Sequence, residues 1–558
     1  MVDGIPDWCY DWYGPYRAED QVDPVGRATG QARVIRGGRL DARGRDDVPP
    51  RKSNPADQFT ADRAGMPPAF GPPPGQEKNP SNLGEHTISF RVVQAVLPAT
   101  KPDPADVPLV CMGIKQRTDP PAQRLGPDMS KPYFRKRYLL PTPPETGTDT
   151  ELGKAIAVAG LHPSFRGHNH SPGLAVCPNG DVLAVFFTSW TEYEAGMSIM
   201  AVRLRLGSDQ WEMPSCLFDS PDVCDNAPML WLDGRELHAF WAFTCIAQGG
   251  FPFHWTTSQD NGATWSEIHF PAFTTAIGGH TRQPINTAIH DQAGNFYVSC
   301  DGSGGQSVLW VSPDRMKTWQ DPGGRTGGRH TSFILLKDGK TILGMGGKNT
   351  DINGCMPKSI SDDGGKTWTI TPTPFAPLGA NQRPCVIRLA SGRLFFCGDF
   401  QRSRDNKKPP SIKQSGAYGA FSDDEGRTWR IKKLIGTQPH ENPQWYGPPH
   451  TIGYSVARQA PNGVIHIITT MNRPCLHFEI NEAWLLSDST PPAGDEVLMA
   501  NTARSVRDVQ TYEEKYPGGQ VRLAWQAGIG DDGRYILHGK EKGSGSRCWQ
   551  AFFEFLAI

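Results

Sequence analysis

Six short phrases of this sequence share one pattern, an apolar strand, a turn and a second apolar strand, and polar residues stand at the start of each. Imidazole, guanidinium, amide, carboxylate and phenol groups occur there, which are the groups that bind anions and transfer protons. An ordinary buried strand start would carry apolar side chains in several of these positions, so we interpret the six starts as one ligand-binding face. The candidates for substrate binding are Arg166, Asp225, Asn226, His280, Arg282, Gln283, His330, Gln382, Arg383 and His450, and those for catalysis are His168, His170 and Tyr454.

Arginine and histidine dominate this set. The planar guanidinium groups of Arg282 and Arg383 match a carboxylate or a sulfate, so we expect an anionic ligand. His168 and His170 could supply two metal ligands, but no third is fixed by spacing. We therefore expect neither a metal nor another cofactor.

An octapeptide repeated four times indicates the scaffold that must position these residues. All four copies fit S-x-D-x-x-x-T-W, and their starts are 54, 49 and 61 residues apart. Aspartate in a turn accepts hydrogen bonds from following backbone N–H groups, glycine supplies a positive φ, and Thr-Trp begins a strand. The copies are SQDNGATW (258–265), SPDRMKTW (312–319), SDDGGKTW (361–368) and SDDEGRTW (422–429).

The spacing of the copies suits four-stranded antiparallel blades, and six phrases predict six of them. We therefore expect an all-β chain built around a six-bladed β-propeller. Residues 1–160 are predicted to be an irregular N-terminal extension, coil with a few strands packed on the propeller. Residues 161–490 are predicted to form the propeller, and residues 491–558 a small C-terminal β appendage.

The octapeptide resembles the Asp-box, or BNR repeat, of the sialidase (neuraminidase) superfamily, which has this fold. In that family an arginine of an R-x-P phrase opens the first blade, two later arginines complete a carboxylate-binding triad, and a tyrosine of a Y-S phrase in the last blade is the nucleophile. The resemblance implies that Tyr454, in GYSV, is the nucleophile and that Arg282 and Arg383 belong to the triad. His170 stands in the position of the first arginine, so the triad is incomplete.

The family's acid/base aspartate lies in a loop after the first blade. Here that loop reads SWTEYEAG, so Glu192 and Glu194 are the candidates to protonate the leaving oxygen. A nucleophilic tyrosine also needs a group that accepts its proton. Glu441 and Glu482 are candidates by proximity in sequence.

Three functions remain open at this stage. The first is a sialidase-like exo-glycosidase that removes a terminal acidic sugar from a glycan or polysaccharide. The second is a polysaccharide lyase, because HNHSP (168–172) is similar to the H-N-x-P phrase of ulvan lyases, which use His and Tyr; the second histidine of those enzymes is absent, since 188–190 reads TSW. The third is a propeller that binds glycans without catalysis.

Bulk properties narrow the partners. Lys and Arg number 57 against 58 Asp and Glu, which gives no reason to expect nucleic acid. No apolar run reaches the length of a membrane span, so we expect no membrane insertion. The first residues lack a signal-peptide core, so we expect either a cytoplasmic protein or a secreted or periplasmic one whose signal was removed. The sequence does not indicate an oligomeric state.

Overall fold

A computed structural model gives the fold of the chain. It describes residues 7–12, 29–30, 33–36, 63–66, 111–112, 127–139, 168–189, 197–208, 211, 215–220, 225–243, 252–275, 280–302, 304–348, 350–378, 383–400, 416–436, 453–469, 476–491, 534–540 and 548–554. For some strand residues only the backbone is described. Almost all regular structure in these ranges is β, and none of their helices is long and apolar enough to cross a membrane.

The first three blades are antiparallel sheets whose strands follow one another in the chain. A short strand from the N-terminal part, β4 (Cys111–Met112), adds to the outer edge of blade 1. Blade 1 is β6 (His168–Val176), β7 (Val182–Ser189), β8 (Ser198–Leu204) and β9 (Ser215–Asp219); blade 2 is β10 (Asp225–Asp233), β11 (Glu236–Phe243) and β12 (His254–Ser258); blade 3 is β13 (His280–His290), β14 (Phe296–Gly302) and β15 (Ser307–Ser312).

The last three blades have four strands each. Blade 6 takes its outer strand, β5 (Phe134–Tyr138), from far upstream, so this part of the N-terminal region closes the ring. Blade 4 is β16 (Ser332–Leu335), β17 (Ile342–Met345), β18 (Pro357–Ser361) and β19 (Thr369–Pro372); blade 5 is β20 (Cys385–Arg388), β21 (Leu394–Phe400), β22 (Gly416–Ser422) and β23 (Ile431–Gly436); blade 6 is β24 (Val456–Gln459), β25 (Ile465–Ile468), β26 (Leu476–Ile480) and β5.

The remaining elements lie outside the blades. A three-stranded sheet contains Val34, which is fully buried among core residues of blades 1 and 2. These elements are β1 (Asp7–Trp12), β2 (Arg33–Arg36), β3 (Arg63–Met66), the helix α1 (Glu482–Leu486) and the hairpin of β27 (Arg534–Lys540) and β28 (Cys548–Glu554).

Apolar packing shows that the ring is closed. Six clusters of buried apolar side chains each join two neighbouring blades, and one of them joins blade 6 to blade 1, since it contains both Ile468 and Leu174. The first strand of each blade contacts the first strands of both neighbours. These six strands therefore line the central channel, and the predicted six-bladed propeller is confirmed.

The octapeptides, now called Asp-boxes, adopt the same hydrogen bonding in all four blades that carry them. In the copy of blade 4, Asp363 accepts the N–H and the hydroxyl of Thr367 at 3.0 and 2.6 Å, and Ser361 Oγ accepts the N–H of Gly365 at 2.9 Å. The other three copies repeat these bonds within 0.2 Å. The sequence pattern therefore encodes one rigid turn.

The Asp-boxes also fasten adjacent blades together. Glu425, in the Asp-box of blade 5, accepts two hydrogen bonds from Arg388 and one from the N–H of Lys337 in blade 4. In blade 2 the Asp-box carbonyl of Asn261 accepts a hydrogen bond from Arg203 of blade 1 at 2.7 Å. Each Asp-box begins at the end of a third strand, which pairs with the start of the second strand, so these turns lie at the end of the blade away from the polar strand starts.

Four inner strands have a non-glycine residue in the left-handed region, within the strand at Ser171 (φ 51°), Ala227 (φ 49°) and Asn286 (φ 53°) and just before it at His330 (φ 56°). In blades 1 to 3 the pairing with the second strand shifts register at this point. Such bulges bend a strand and redirect the neighbouring side chains. Here those neighbours are the polar residues at the starts of the inner strands.

Candidate active site

Tyr454 occupies the centre of the candidate site. It precedes β24 and is 3% exposed, and its backbone bridges that of Arg383 at the start of the neighbouring inner strand. The N–H of Ser455 donates to the carbonyl of Arg383 at 3.0 Å. This main-chain pairing holds the phenol and the guanidinium side by side.

Arg383 is the most unusual group of the site. Its side chain is completely buried, and none of its three guanidinium nitrogens has a hydrogen-bond partner among the described residues. Its Cζ lies 4.3 Å from the centroid of the Tyr454 ring. Burial lowers the pKa of the guanidinium, yet arginine keeps its charge in proteins. A buried cation is costly unless it gains a hydrogen-bonded partner.

Lys348 brings a second cation to the tyrosine. Its Nζ donates a 2.9 Å hydrogen bond to the phenol oxygen of Tyr454. Two glycines allow this placement, since a Cβ on Gly328 would lie only 2.5 Å from the Cα of Gly347. The two chain segments therefore approach closely enough for the N–H of Lys348 to donate to the carbonyl of Arg329 at 3.1 Å.

Two histidines flank the tyrosine ring. The imidazole of His170 lies 4.3 Å from it between centroids, tilted by 39°, and that of His330 lies at 5.0 Å, nearly perpendicular. His170 comes from blade 1 and His330 from blade 4, so the ring is held between opposite sides of the channel. Three of the predicted catalytic or binding residues thus converge on one point.

Asp301 supplies the carboxylate that contacts the residues around Tyr454 in the described part of the chain. It is fully buried at the end of β14 and contacts both His330 Nε2 (3.0 Å) and Arg329 Nε (2.9 Å). Burial alone would raise the pKa of Asp301, but its interactions with His330 and Arg329 hold the pKa well below the ordinary range. Against this one negative charge stand three cations, Arg329, Lys348 and Arg383. The described site is therefore electropositive.

The other predicted residues have different surroundings. Gln283 lies beside His330, with Oε1 3.3 Å from Nε2, whereas His280 packs against Trp310. The carboxylate of Asp225 accepts hydrogen bonds from the N–H and hydroxyl of Ser220 and from the indole of Trp241, each at 2.7 Å. These bonds hold Asp225 within the structure of the blades. Asn226 is buried in the next position, and only the backbones of His168 and Arg282 are described, both in inner strands.

One predicted residue, Glu482, lies away from Tyr454, and six others lie outside the described ranges. The interpretation of Glu482 as the proton acceptor of Tyr454 is wrong, because Glu482 opens α1 and its carboxylate accepts a 2.8 Å hydrogen bond from Arg393. Glu482 is close to β24 in sequence, but its carboxylate does not lie near the channel. The residues that the structure does not describe are Arg166, Glu192, Glu194, Gln382, Glu441 and His450.

Lys348 and Asp301 were missed in the sequence. Lys348 follows the second strand β17 and Asp301 lies near the end of the second strand β14, whereas the predicted residues lie before or at the starts of first strands. In an antiparallel hairpin the second strand ends where the first begins. Polar residues at the ends of the second strands were therefore the signal that could have found them.

A second buried cluster, His466, His477 and Glu479, has its ligand atoms within 4.8 Å of one another. Its hydrogen bonds do not fit a metal site. The indole N–H of Trp211 donates to His477 Nδ1 at 3.2 Å, so the proton of His477 is on Nε2, which faces His466 Nδ1 at 3.0 Å. No lone pair of His477 is left for a metal, and Arg137 already pairs with Glu479 at 2.6 Å.

The six blades, the four Asp-boxes and the tyrosine at the channel define a sialidase-like β-propeller. The model of the BNR repeat-like domain family matches residues 180–467, just over half of the chain, and the chain belongs to this family. The predicted membership of the Asp-box superfamily is confirmed. No curated protein sequence matches the chain.

Solved structures show similar folds at low identity. A protein of unknown function from Dyadobacter fermentans is 12% identical, with a TM-score of 0.43 over 62% of this chain and 99% of its own. A variant of the NanB sialidase from Streptococcus pneumoniae is 11% identical, with a TM-score of 0.43 over 62% of this chain and 70% of its own. Trypanosoma rangeli sialidase is 12% identical, with a TM-score of 0.39 over 56% of this chain and 55% of its own, so the chain spans about half of that protein. These similarities carry no argument about activity.

Proposed function

We propose that this protein is a glycosidase that removes a terminal acidic sugar from a glycan, with Tyr454 as the nucleophile. The observation that supports this most is the guanidinium of Arg383, completely buried, without a described hydrogen-bond partner and 4.3 Å from the Tyr454 ring. A carboxylate on the sugar would supply the missing acceptors and place the sugar over the phenol.

In this proposal Tyr454 first loses its phenol proton to water, and the phenolate oxygen then attacks the anomeric carbon while the bond to the leaving oxygen breaks. Lys348 stabilises negative charge on the phenol oxygen through its 2.9 Å hydrogen bond. The leaving oxygen takes a proton from an acid, for which Glu192 and Glu194 remain the predicted residues. Water then displaces the tyrosine and releases the sugar with retained configuration.

A second candidate reaction is β-elimination on a uronate-containing polysaccharide. It is favoured by the two imidazoles that flank Tyr454 at 4.3 and 5.0 Å, since such a lyase needs a base and an acid beside a group that neutralises the uronate. A base removes the proton α to the carboxylate, a carbon–carbon double bond forms, and the glycosidic oxygen leaves with a proton. Arg383 would neutralise the carboxylate.

One experiment tests both reactions. Purified protein is incubated with sialosides and with uronate-containing polysaccharides, and products are read as released reducing sugar and as ultraviolet absorbance of a new double bond. Reducing sugar alone supports hydrolysis, and both signals together support elimination. If the protein binds the sugars but produces neither signal, it is a glycan-binding propeller and the proposal is overturned. Tyr454→Phe and Arg383→Met should each abolish turnover, whereas Trp429→Phe, in an Asp-box, should not.

A further inference from the structure

Asp301 binds one residue, His330, through both the main chain and the side chain. Its Oδ1 accepts the backbone N–H of His330 at 2.5 Å, and its Oδ2 lies 3.0 Å from the ring Nε2. Arg329 donates to the same carboxylate at 2.9 Å and Ser307 at 3.4 Å. The aspartate is completely buried, so these contacts are not exchanged with bulk water.

This contact sets the tautomer of His330. A carboxylate oxygen only accepts hydrogen bonds, and Gln283 Oε1, 3.3 Å from the same nitrogen, is a second acceptor. The proton of the neutral ring is therefore on Nε2, and Nδ1 keeps its lone pair. Burial and the charges of Lys348 and Arg383 lower the pKa of His330 to about 3, whereas Asp301 opposes this shift. His330 is therefore neutral near pH 7.

The backbone of His330 is strained at this position. Its φ of 56° lies in the left-handed region, which a non-glycine residue adopts only when the surrounding structure holds it there. The hydrogen bond from its N–H to Asp301 helps to hold this conformation. The result is that the imidazole edge rests against the ring of Tyr454, with centroids 5.0 Å apart and an interplanar angle of 87°.

We propose that Asp301 and His330 are positioning residues for Tyr454: the carboxylate fixes the orientation and tautomer of the imidazole, and the imidazole fixes the phenol against Lys348. This inference rests on the proposed function of Tyr454. It assigns to Asp301 a role that is separate from ligand binding, because its negative charge opposes the binding of an anion beside Arg383 and Lys348.

The test is Asp301→Asn, which keeps the shape and the acceptor for the backbone N–H but removes the charge and can place an NH₂ against His330 Nε2. We expect kcat on an acidic glycan to fall by about 100-fold or more, as other tautomer-breaking changes do. The KM should stay unchanged or fall, because a negative charge has left an anion site. A purely structural role would instead raise KM and lower kcat together, and that result would overturn the proposal.

A second readout does not depend on turnover. In protein labelled with ¹⁵N-histidine, the ring nitrogens of His330 should report protonated Nε2 in the wild type and protonated Nδ1 in Asp301→Asn, and the ring signals of Tyr454 should shift. If the wild type turns over no acidic glycan, the proposed function fails. If Asp301→Asn instead leaves the tautomer of His330 or the ring signals of Tyr454 unchanged, the positioning role alone is overturned. The matched control is Asp291→Asn, at the other end of the same hairpin, where the carboxylate binds Asn295 and Tyr297. It should change neither the tautomer nor kcat.

Discussion

Lys348 donates a 2.9 Å hydrogen bond to the phenol oxygen of Tyr454, and Cζ of Arg383 lies 4.3 Å from the centroid of the same tyrosine ring. The tyrosine is thus in contact with two cations from different blades. A phenol in this setting is stabilised when its oxygen gains negative charge, as it does when it loses its proton to become a nucleophile or a base and when it departs as a leaving group. The surroundings of Tyr454 therefore suit chemistry as well as binding.

Replacing Lys348 by Met should lower kcat by about 10- to 100-fold, which is the value of a hydrogen bond to a charged group. The KM should change less, because the effect falls on the phenol oxygen. Steady-state kinetics of the wild type and of Lys348→Met measures both values. The control is Lys358→Met, in the same blade, whose Nζ contacts the carbonyl of Gly426. Equal losses in both lysine variants would contradict a role for Lys348 at Tyr454.

Replacing Arg383 by Met should abolish binding of acidic sugars and leave the protein as stable as before or more stable. The guanidinium lacks hydrogen-bond partners in the described structure, so its removal relieves a desolvation cost. Arg203 is equally buried but pairs with Asp181 at 3.1 Å and donates to Asn261 at 2.7 Å. Arg203→Met should therefore destabilise by about 3–5 kcal/mol.

Urea unfolding midpoints of the two arginine variants and of the wild type measure this contrast, with binding followed by calorimetry using glucuronate and N-acetylneuraminate. A loss of stability in Arg383→Met as large as in Arg203→Met would mean that Arg383 is a structural residue. In that case the anion site would have to be sought elsewhere on the channel.

The scaffold was readable from the sequence because its signals are local. Each Asp-box encodes its own turn, with Asp363 and Thr367 only four residues apart, and each hairpin shows its strands and turn directly. The blade count followed from repetition. The missing outer strand of blade 6 could not be assigned in the same way, because β5 pairs with β26 across more than 300 residues and no local pattern marks that pairing.

The site was only partly readable. Tyr454, His170, His330 and Arg383 were found because they occupy equivalent positions before inner strands, and propeller geometry brings such positions together. Lys348 and Asp301 meet them from the ends of second strands, and their roles depend on side-chain contacts that spacing does not specify. Glu482 shows the opposite case, where closeness in sequence suggested a contact that the fold does not make.

The Asp-boxes predict a loss of stability in acid. Burial is the largest single influence on Asp363 and by itself would raise its pKa, but the hydrogen bonds from Thr367, Ser361 and the N–H of Lys366 together lower the pKa to about 2. Because the folded pKa lies below the unfolded value near 3.9, the contribution is present above about pH 4 and is lost as the pH falls toward 2. Asp363→Asn should lower the unfolding midpoint at pH 7 and match the wild type near pH 2. Asp362→Asn, the exposed neighbour, should behave as the wild type throughout, and a pH-independent difference for Asp363→Asn would argue against this explanation.

The histidine pair at the closure of the ring predicts a second, milder acid effect. Burial above all lowers the pKa of His466 to about 4, and Arg137 adds to this against the attraction of Glu479. An unfolded histidine titrates near 6.5, so between about pH 6.5 and 4 the unfolded chain binds a proton that the folded chain does not, and stability falls as the pH is lowered. The slope is about 1 kcal/mol per pH unit for one such group.

Protonation of His466 Nδ1 would set an N–H against the N–H of His477 Nε2, 3.0 Å away, and so weaken the contact between blade 6 and Trp211. His466→Gln removes this titrating group and should reduce the slope of the unfolding free energy against pH between 6.5 and 4 by about 1 kcal/mol per pH unit, as measured by urea titration at several pH values. The control is His290→Gln, at an exposed histidine beside Asp233, which leaves the buried cluster intact. If the cluster held a metal instead, EDTA would lower the midpoint at pH 7, whereas the tautomers fixed by Trp211 require that EDTA has no effect.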